Sequence, residues 1–405
     1  MPMPAEMPPS ALPPPNRPKP ARRDPSDGAA PPYSARSLHA LPPGLTSPPA
    51  GVYRERRRRL CAQGQKGLLL LARGDAPFYE DLFYLTGLTT YHSALLLDLE
   101  TGEEQVWVWQ IEEEEAHAQT DVAAVLSFDP FASPAPLLDL LLQKIQQKKP
   151  HNLFFGLQGG GIVPFTLELH ANLAMQAGEE VRHSRGIQEA APLLAPLRRI
   201  KDAWEVSCLA RAQRNAEATM TQVLAELRVG MTEREVAGRI LERLIAGGAT
   251  RPSFPIVAFG AHTANTHHLA SDRALHSGDL VLVDIYGEAA DQYSAEWTDT
   301  ILFESRDSAV SRPLQTVDEV LRKLQAQLRP GVTLAQLENH AFELLTLAGL
   351  GTEYPGACAH DVGLSEHDPT DKTLPLQPGQ VIALEPSVYS QRAQHGIRRE
   401  RAFMV

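Results

Sequence analysis

The chain has 405 residues, with 38 Lys+Arg against 49 Asp+Glu for a formal net charge of -11, and it is 43% hydrophobic and 21% charged. That balance describes a globular protein with ample core material and argues against a general nucleic-acid binder, whose footprint is a basic patch. No apolar run approaches the roughly 18 residues of a membrane span, and three widely spaced cysteines (Cys61, Cys208, Cys358) exclude a disulfide framework and point to a reducing compartment. The N-terminus lacks the apolar stretch of a secretory signal, so a cytoplasmic protein is expected.

The first 50 residues hold 16 of the 33 prolines, with five basic and three acidic residues. Such a segment buries too little apolar surface to offset its ordering entropy, and residues 1–50 read as a disordered tail. From residue 51 the texture becomes globular. Tyr53–Arg59 leads into Leu60 and Cys61 as a basic helix face, read as solvated surface. Gly67–Ala72 reads as a buried strand, and Ser93–Leu99 and Gln105–Gln110 flank Thr101-Gly102, a hairpin signal. Pro136–Ile145 and Phe165–Met175 carry helical patterns on either side of the apolar run Asn152–Leu157. Gly159-Gly160-Gly161 lacks the Lys-Ser/Thr of a phosphate loop and reads as a plain loop. Strands alternating with helices describe a small α/β domain over residues 51–191.

Residues 192–405 shift to long helices. Trp204–Leu227 and Thr232–Ile245 are amphipathic, and Thr232 with Glu235 three residues on forms a capping box. Strands follow, then helices around Val310–Leu328 and Thr333–Ala348, then strands from Ala357 to the end. Two helices followed by strands, twice over, make this half α+β with a hint of internal duplication.

Three stretches of this half carry acids or histidines where a fold ordinarily avoids them. Leu280-Val-Leu-Val-Asp284 ends an apolar strand on a carboxylate, and Tyr293-Ser-Ala-Glu296-Trp-Thr returns a second acid. Val381-Ile-Ala-Leu-Glu385-Pro repeats the pattern and returns through Gly396-Ile-Arg-Arg-Glu400. His360-Asp-Val-Gly-Leu-Ser-Glu-His367 supplies two imidazoles. Each alone has an ordinary structural reading: a capping acid, a salt bridge to Arg398 or Arg399, a core histidine. Together, two hairpins deliver four carboxylates that repel one another strongly unless compensated, and two divalent cations match their formal charge. An oxygen-rich set with one imidazole suits Mn²⁺, Co²⁺ or Zn²⁺.

These residues resemble the Xaa-Pro peptidases, the prolidase and aminopeptidase P family of pita-bread metallopeptidases, over residues 52–405. Phe78-Tyr-Glu-Asp-Leu-Phe-Tyr-Leu-Thr-Gly87 is similar to the signature of the family's N-terminal domain, and Leu197–Glu205 to the segment opening its catalytic domain. The resemblance implies a pita-bread catalytic domain preceded by a small creatinase-type α/β domain, two divalent cations with Mn²⁺ first in line, and a cytoplasmic homodimer. It also implies hydrolysis of the bond before proline in dipeptides or short peptides, prolidase-like rather than aminopeptidase P-like, with neither nucleic acid nor membrane as partner. The family's ligand order Asp, Asp, His, Glu, Glu falls on Asp284, Glu296, His360, Glu385 and Glu400. Glu296 departs from the second Asp, with Asp291 and Asp299 as alternatives. The resemblance casts Glu385 as proton carrier, His267 (with His268 as fallback) and His367 as donors to the scissile carbonyl, and Arg398 as support for the site. A substrate carboxylate would need an arginine, from Arg398 or the Arg54–Arg59 run. Gly356 stands where many members have a further histidine, and the chain ends five residues past Glu400. A rival reading is a catalytically inactive binding or assembly protein on the same fold, with Glu296 as the sign of a degenerate site.

Overall fold

A computed structural model describes residues 35–41, 44–74, 78–129, 152–158, 187–305 and 307–405, together with Gln143 and Gln147. The glycine loop at 159–161 and the helix expected over 165–175 lie outside the described residues. So does the helix expected over 136–145, except for Gln143, which is helical.

The N-terminal part is built on a mixed sheet of six strands: β2 (Leu68–Arg73), β3 (Ser93–Asp98), β4 (Glu104–Trp109), β5 (Val125–Phe128), β6 (Leu153–Gln158) and β7 (Ile187–Glu189), in the order β5-β4-β3-β2-β6-β7. Every residue of β2 and β3 is buried, as expected of central strands covered on both faces. Asp98 accepts from the amides of Glu100 and Thr101 and so shapes the expected hairpin turn. A short helix, Glu80–Thr86, is stopped by Gly87 at φ 79°.

The first helix, α1 (Val52–Cys61), overturns the solvated reading of its arginines: Arg56 and Arg57 are each 1% exposed. Arg56 donates to Asp202 (2.8 Å) and to the Tyr84 carbonyl (3.0 Å), while Arg57 forks onto Glu104 (2.5 and 2.8 Å) and pairs with Asp121 (2.9 Å). A buried guanidinium is tolerated where every donor finds an acceptor, and here the acceptors come from distant segments.

The described part of the Pro-rich stretch also departs from the disordered reading. Arg36–Ser37 (β1) pairs antiparallel with the last strand, β15 (Arg401–Met404). Leu38 is fully buried beside it, and the His39 ring meets Trp297 edge-on at 5.0 Å. Residues 33–41 contain no proline, so the strand can donate its amides to the sheet edge and Leu38 can anchor it. Beyond that, Gly44 lies so close over Ser207 that a Cβ there would fall 2.1 Å from the hydroxyl.

In the C-terminal half the helix Ala203–Glu226 opens on a capping box of Asp202 and Glu205, and Glu233–Ala246 on the expected box of Thr232 and Glu235. They pack on a three-stranded sheet of β8 (Ile256–Phe259), β9 (Leu280–Ala290) and β10 (Tyr293–Leu302). The second pair, Ser308–Gln327 and Leu334–Leu347, packs on the sheet β1-β15-β12-β11, with β11 at Ala359–Asp361 and β12 at Val381–Leu384. Paired helices backing each of two sheets are the duplicated α+β arrangement read from the sequence. The sheets meet at an antiparallel bridge between Thr298 and Glu400, and two of the expected acids lie on each side of it.

Candidate metal centre

Strand register builds the first half of the cluster. In the β9–β10 hairpin Asp284 stands opposite Thr298, and Tyr286 opposite Glu296. Side chains alternate along a strand, so all four share one face. The second half comes from three ends of the other sheet: His360 in β11, Glu385 just past β12, and Glu400 just before β15. Thr298 ties the halves together, its Oγ1 lying 2.7 Å from Asp284 Oδ1 and 2.8 Å from Glu400 Oε2. Arg398 donates from Nη2 to the other oxygen of Asp284 at 2.5 Å.

His360 Nε2 lies 3.6 Å from Glu400 and 3.7 Å from Glu385. Ligand atoms of Glu296, His360 and Glu400 fall within 4.8 Å of one another, and all three residues are buried. Glu296 is 4% exposed, and its Oε1 is buried without a hydrogen-bond partner. Glu385, with 21% of its side chain exposed, is the most open of the set.

The acids feel one another. Burial pushes Asp284 up to about 6, with Arg398 opposing and Glu400 reinforcing the shift. Burial, then Glu400, lifts Glu385 to about 7. Glu296 is driven well above the carboxylate range by burial, then by Glu400 and Asp284. For Glu400 burial acts upward, but His360, Arg398 and Thr298 together outweigh it and hold the carboxyl below its ordinary value. Crowded, buried carboxylates with an orphaned oxygen and one imidazole among them fit divalent cations as the counter-charge, by donor chemistry and by charge.

The other candidates separate by position. Asp291 sits in the hairpin turn and pairs with Arg211, while Asp299 faces away from Asp284 and holds Arg399 (2.7 Å) and Arg401 (2.8 Å). His367 stacks on His360 with ring centroids 4.0 Å apart, and desolvation, then His360, lowers it to about 4. His267 is exposed and close enough to His367 for its charge to be felt there. His268 is occupied elsewhere, its Nε2 lying 2.8 Å from Glu233. Arg398 is 7% exposed and committed to Asp284, and Arg56 and Arg57 are sealed in ion pairs, so these three guanidiniums do not supply the free partner expected for a substrate carboxylate.

Sequence reasoning missed Glu233. It is fully buried, and its carboxylate gathers the Phe259 amide (2.8 Å), the Ser271 amide and hydroxyl (3.0 and 2.6 Å), His262 (2.9 Å) and His268 (2.8 Å). Glu233, His262 and His268 also lie at metal-ligand spacing, but five donors already fill the carboxylate, which makes it the clamp of the 259–271 loop. Glu366, beside His367, was missed too.

Two sheets, each backed by a helix pair and joined beside this cluster, make the pita-bread fold. Residues 207–405 match the model of metallopeptidase family M24. The probable dipeptidase PepE of Mycobacterium tuberculosis is 33% identical over 204 residues, 49% of this chain and 54% of that protein, so the chain spans about half the length of this curated relative. The Xaa-Pro dipeptidase of Pyrococcus furiosus is 28% identical over 249 residues, 59% of this chain and 71% of that protein. Among solved structures, the prolidase from Pyrococcus horikoshii OT3 superposes with a TM-score of 0.73 at 22% identity, covering 87% of this chain and 95% of that one. The dipeptidase PepE from Mycobacterium ulcerans gives 0.71 at 27% identity, covering 88% and 93%. Among the described residues no helix is long and apolar enough to cross a membrane.

Proposed function

We propose that this protein is a metal-dependent hydrolase of the Xaa-Pro bond in dipeptides or short peptides. The observation that carries the reading is the convergence of four carboxylates and one imidazole at the junction of two duplicated halves, with Glu296 Oε1 left unpartnered. Asp284, Glu296, His360, Glu385 and Glu400 are the residues that would hold two divalent cations, Mn²⁺ before Co²⁺ or Zn²⁺. When bound, such cations polarise the scissile carbonyl and lower the pKa of the attacking water.

The chain's own residues divide the remaining work. Arg398 and Thr298 hold the two oxygens of Asp284 in fixed directions, and Thr298 does the same for Glu400. Glu385, the most open of the acids, takes the proton of the attacking water and passes it to the leaving imino nitrogen of proline. His267 and His367 donate hydrogen bonds to the scissile carbonyl and to the tetrahedral intermediate, where charge develops. Preference for dipeptides rests on the relatives named dipeptidases, since Arg56, Arg57 and Arg398, among the arginines expected to read a free carboxylate, are engaged elsewhere. The free cysteines agree with a reducing, cytoplasmic setting.

The test is proline release from Ala-Pro, Leu-Pro and Gly-Pro, and attack on Ala-Pro-Ala, each with and without added Mn²⁺. Metal-dependent cleavage of the dipeptides is expected. A protein that binds two cations and cleaves none of the four contradicts the activity, and one that binds none supports an inactive binding protein.

A further inference from the structure

A further carboxylate, Glu366, stands beside the cluster. Glu366 follows the buried run Asp361–Leu364 and precedes His367, whose ring lies stacked on His360. Its side chain reaches across to β9. A Cβ built on Gly287 would sit 3.5 Å from Glu366 Oε2 and 2.2 Å from Ser253 Oγ. Gly287 adopts φ +82°, so a side chain there is strained as well as crowded, and the bare backbone lets Ser253 and Glu366 approach the strand closely. Three residues upstream on the same strand is Asp284, and directly opposite Gly287 is Ala295, next to Glu296.

The charge of Glu366 is felt at Asp284, Tyr286 and Glu296, and Glu366 itself feels His360 and Glu400. With its neighbour His367 stacked on His360 and its own carboxylate beside Gly287 of β9, it borders the metal cluster. Yet it is half-buried, and no described side chain forms a hydrogen bond or an ion pair with it. A half-buried acid left without a partner is costly, and a charge-assisted hydrogen bond to a cation relieves that cost.

We infer that Glu366 is a specificity-determining residue, whose carboxylate receives a cationic nitrogen carried by the residue before proline. The inference rests on the Xaa-Pro reading. Two nitrogens share this chemistry: the free α-ammonium of every unblocked substrate, and the side-chain ammonium or guanidinium of Lys or Arg in the first position.

The experiment compares wild type with Glu366→Gln, which keeps shape and removes charge, on Lys-Pro, Arg-Pro, Met-Pro and Ala-Pro under equal Mn²⁺ loading. If the side chain is read, wild type favours Lys-Pro and Arg-Pro over Met-Pro by on the order of 10-fold or more in kcat/KM, and the variant loses that preference. If the α-ammonium is read, the variant loses a similar factor on all four, mainly through KM. Either pattern supports the inference. Values within twofold of wild type on every substrate overturn it, as does loss of a bound cation from the variant, which would make Glu366 a ligand. Calorimetric binding of lysinamide, norleucinamide and hexanamide makes the same separation without turnover. A protein that releases no proline thus contradicts the Xaa-Pro reading, while equal binding of all three probes by both proteins overturns the role of Glu366.

Discussion

His267 and His268 are chain neighbours, and Glu233 separates their roles. Glu233 engages His268 and pins the loop from both ends, which keeps His267 out of that clamp and exposed. His268→Ala is therefore expected to lower stability, by about 1.5–3 kcal/mol for a hydrogen bond to a charged group, and to leave cation content unchanged. His267→Ala and His367→Ala are expected to keep both stability and cations while kcat falls by roughly 10²–10³. Denaturant titration, elemental analysis and steady-state kinetics on the three variants check this, and metal-free His267→Ala would reassign the residue. Glu233 also carries a pH signature. Burial opposes its charge, but the hydrogen bonds of Ser271, His268 and Phe259 prevail and hold it down at about 2. A carboxyl depressed in the folded state contributes in full above its unfolded pKa of roughly 4.3 and loses that contribution as pH falls. Between pH 5 and about 2, wild type is expected to lose stability more steeply than Glu233→Gln, and parallel acid-unfolding curves would contradict this.

Among the elements, the N-terminal strap extends the sheet that carries His360, Glu385 and Glu400, and α1 ties Tyr84, Glu104 and Asp121 of the N-terminal part to Asp202. Arg36–Ser37 extends that sheet at β15, which begins one residue after Glu400, and Leu38 fills the core beside it. Leu38→Ala is expected to cost about 2–5 kcal/mol, the range for a fully buried leucine, measured by denaturant unfolding. A cost below about 0.5 kcal/mol would mean that the strap merely rests on the surface. Helix α1 was legible as a helix, but not the burial of Arg56 and Arg57. Their partners Asp202 and Glu104 lie 146 and 47 residues away, and no local periodicity reports such pairing. The strap was illegible for a related reason: two residues carry no alternation, and proline-rich flanks dominated the composition. Arg56→Ala is expected to cost about 3–5 kcal/mol by stranding Asp202 and the Tyr84 carbonyl, whereas Arg58→Ala, on an exposed pair with Glu55, is expected to leave the unfolding midpoint unchanged.

Over the whole molecule, the duplicated α+β layout was legible because it is written in long periodic elements and capping boxes. The acids were legible because an ionisable residue at the end of an apolar strand is anomalous in any fold. Register then did what the sequence alone could not. It set Asp284 against Thr298 and Glu296 on the same face, and turned Asp299 to the other, where Arg399 and Arg401 hold it. Glu366 and Glu233 escaped notice because neither stands at a strand end; only the three-dimensional approach to Gly287, or to the 259–271 loop, marks them. On this reading five residues from two halves hold two cations, with Glu296 among them. The most direct test is a calorimetric Mn²⁺ titration of chelated wild type and Glu296→Ala, with elemental analysis of the loaded proteins. Two equivalents for wild type and one for the variant are expected, and an equal number in both would contradict the assignment.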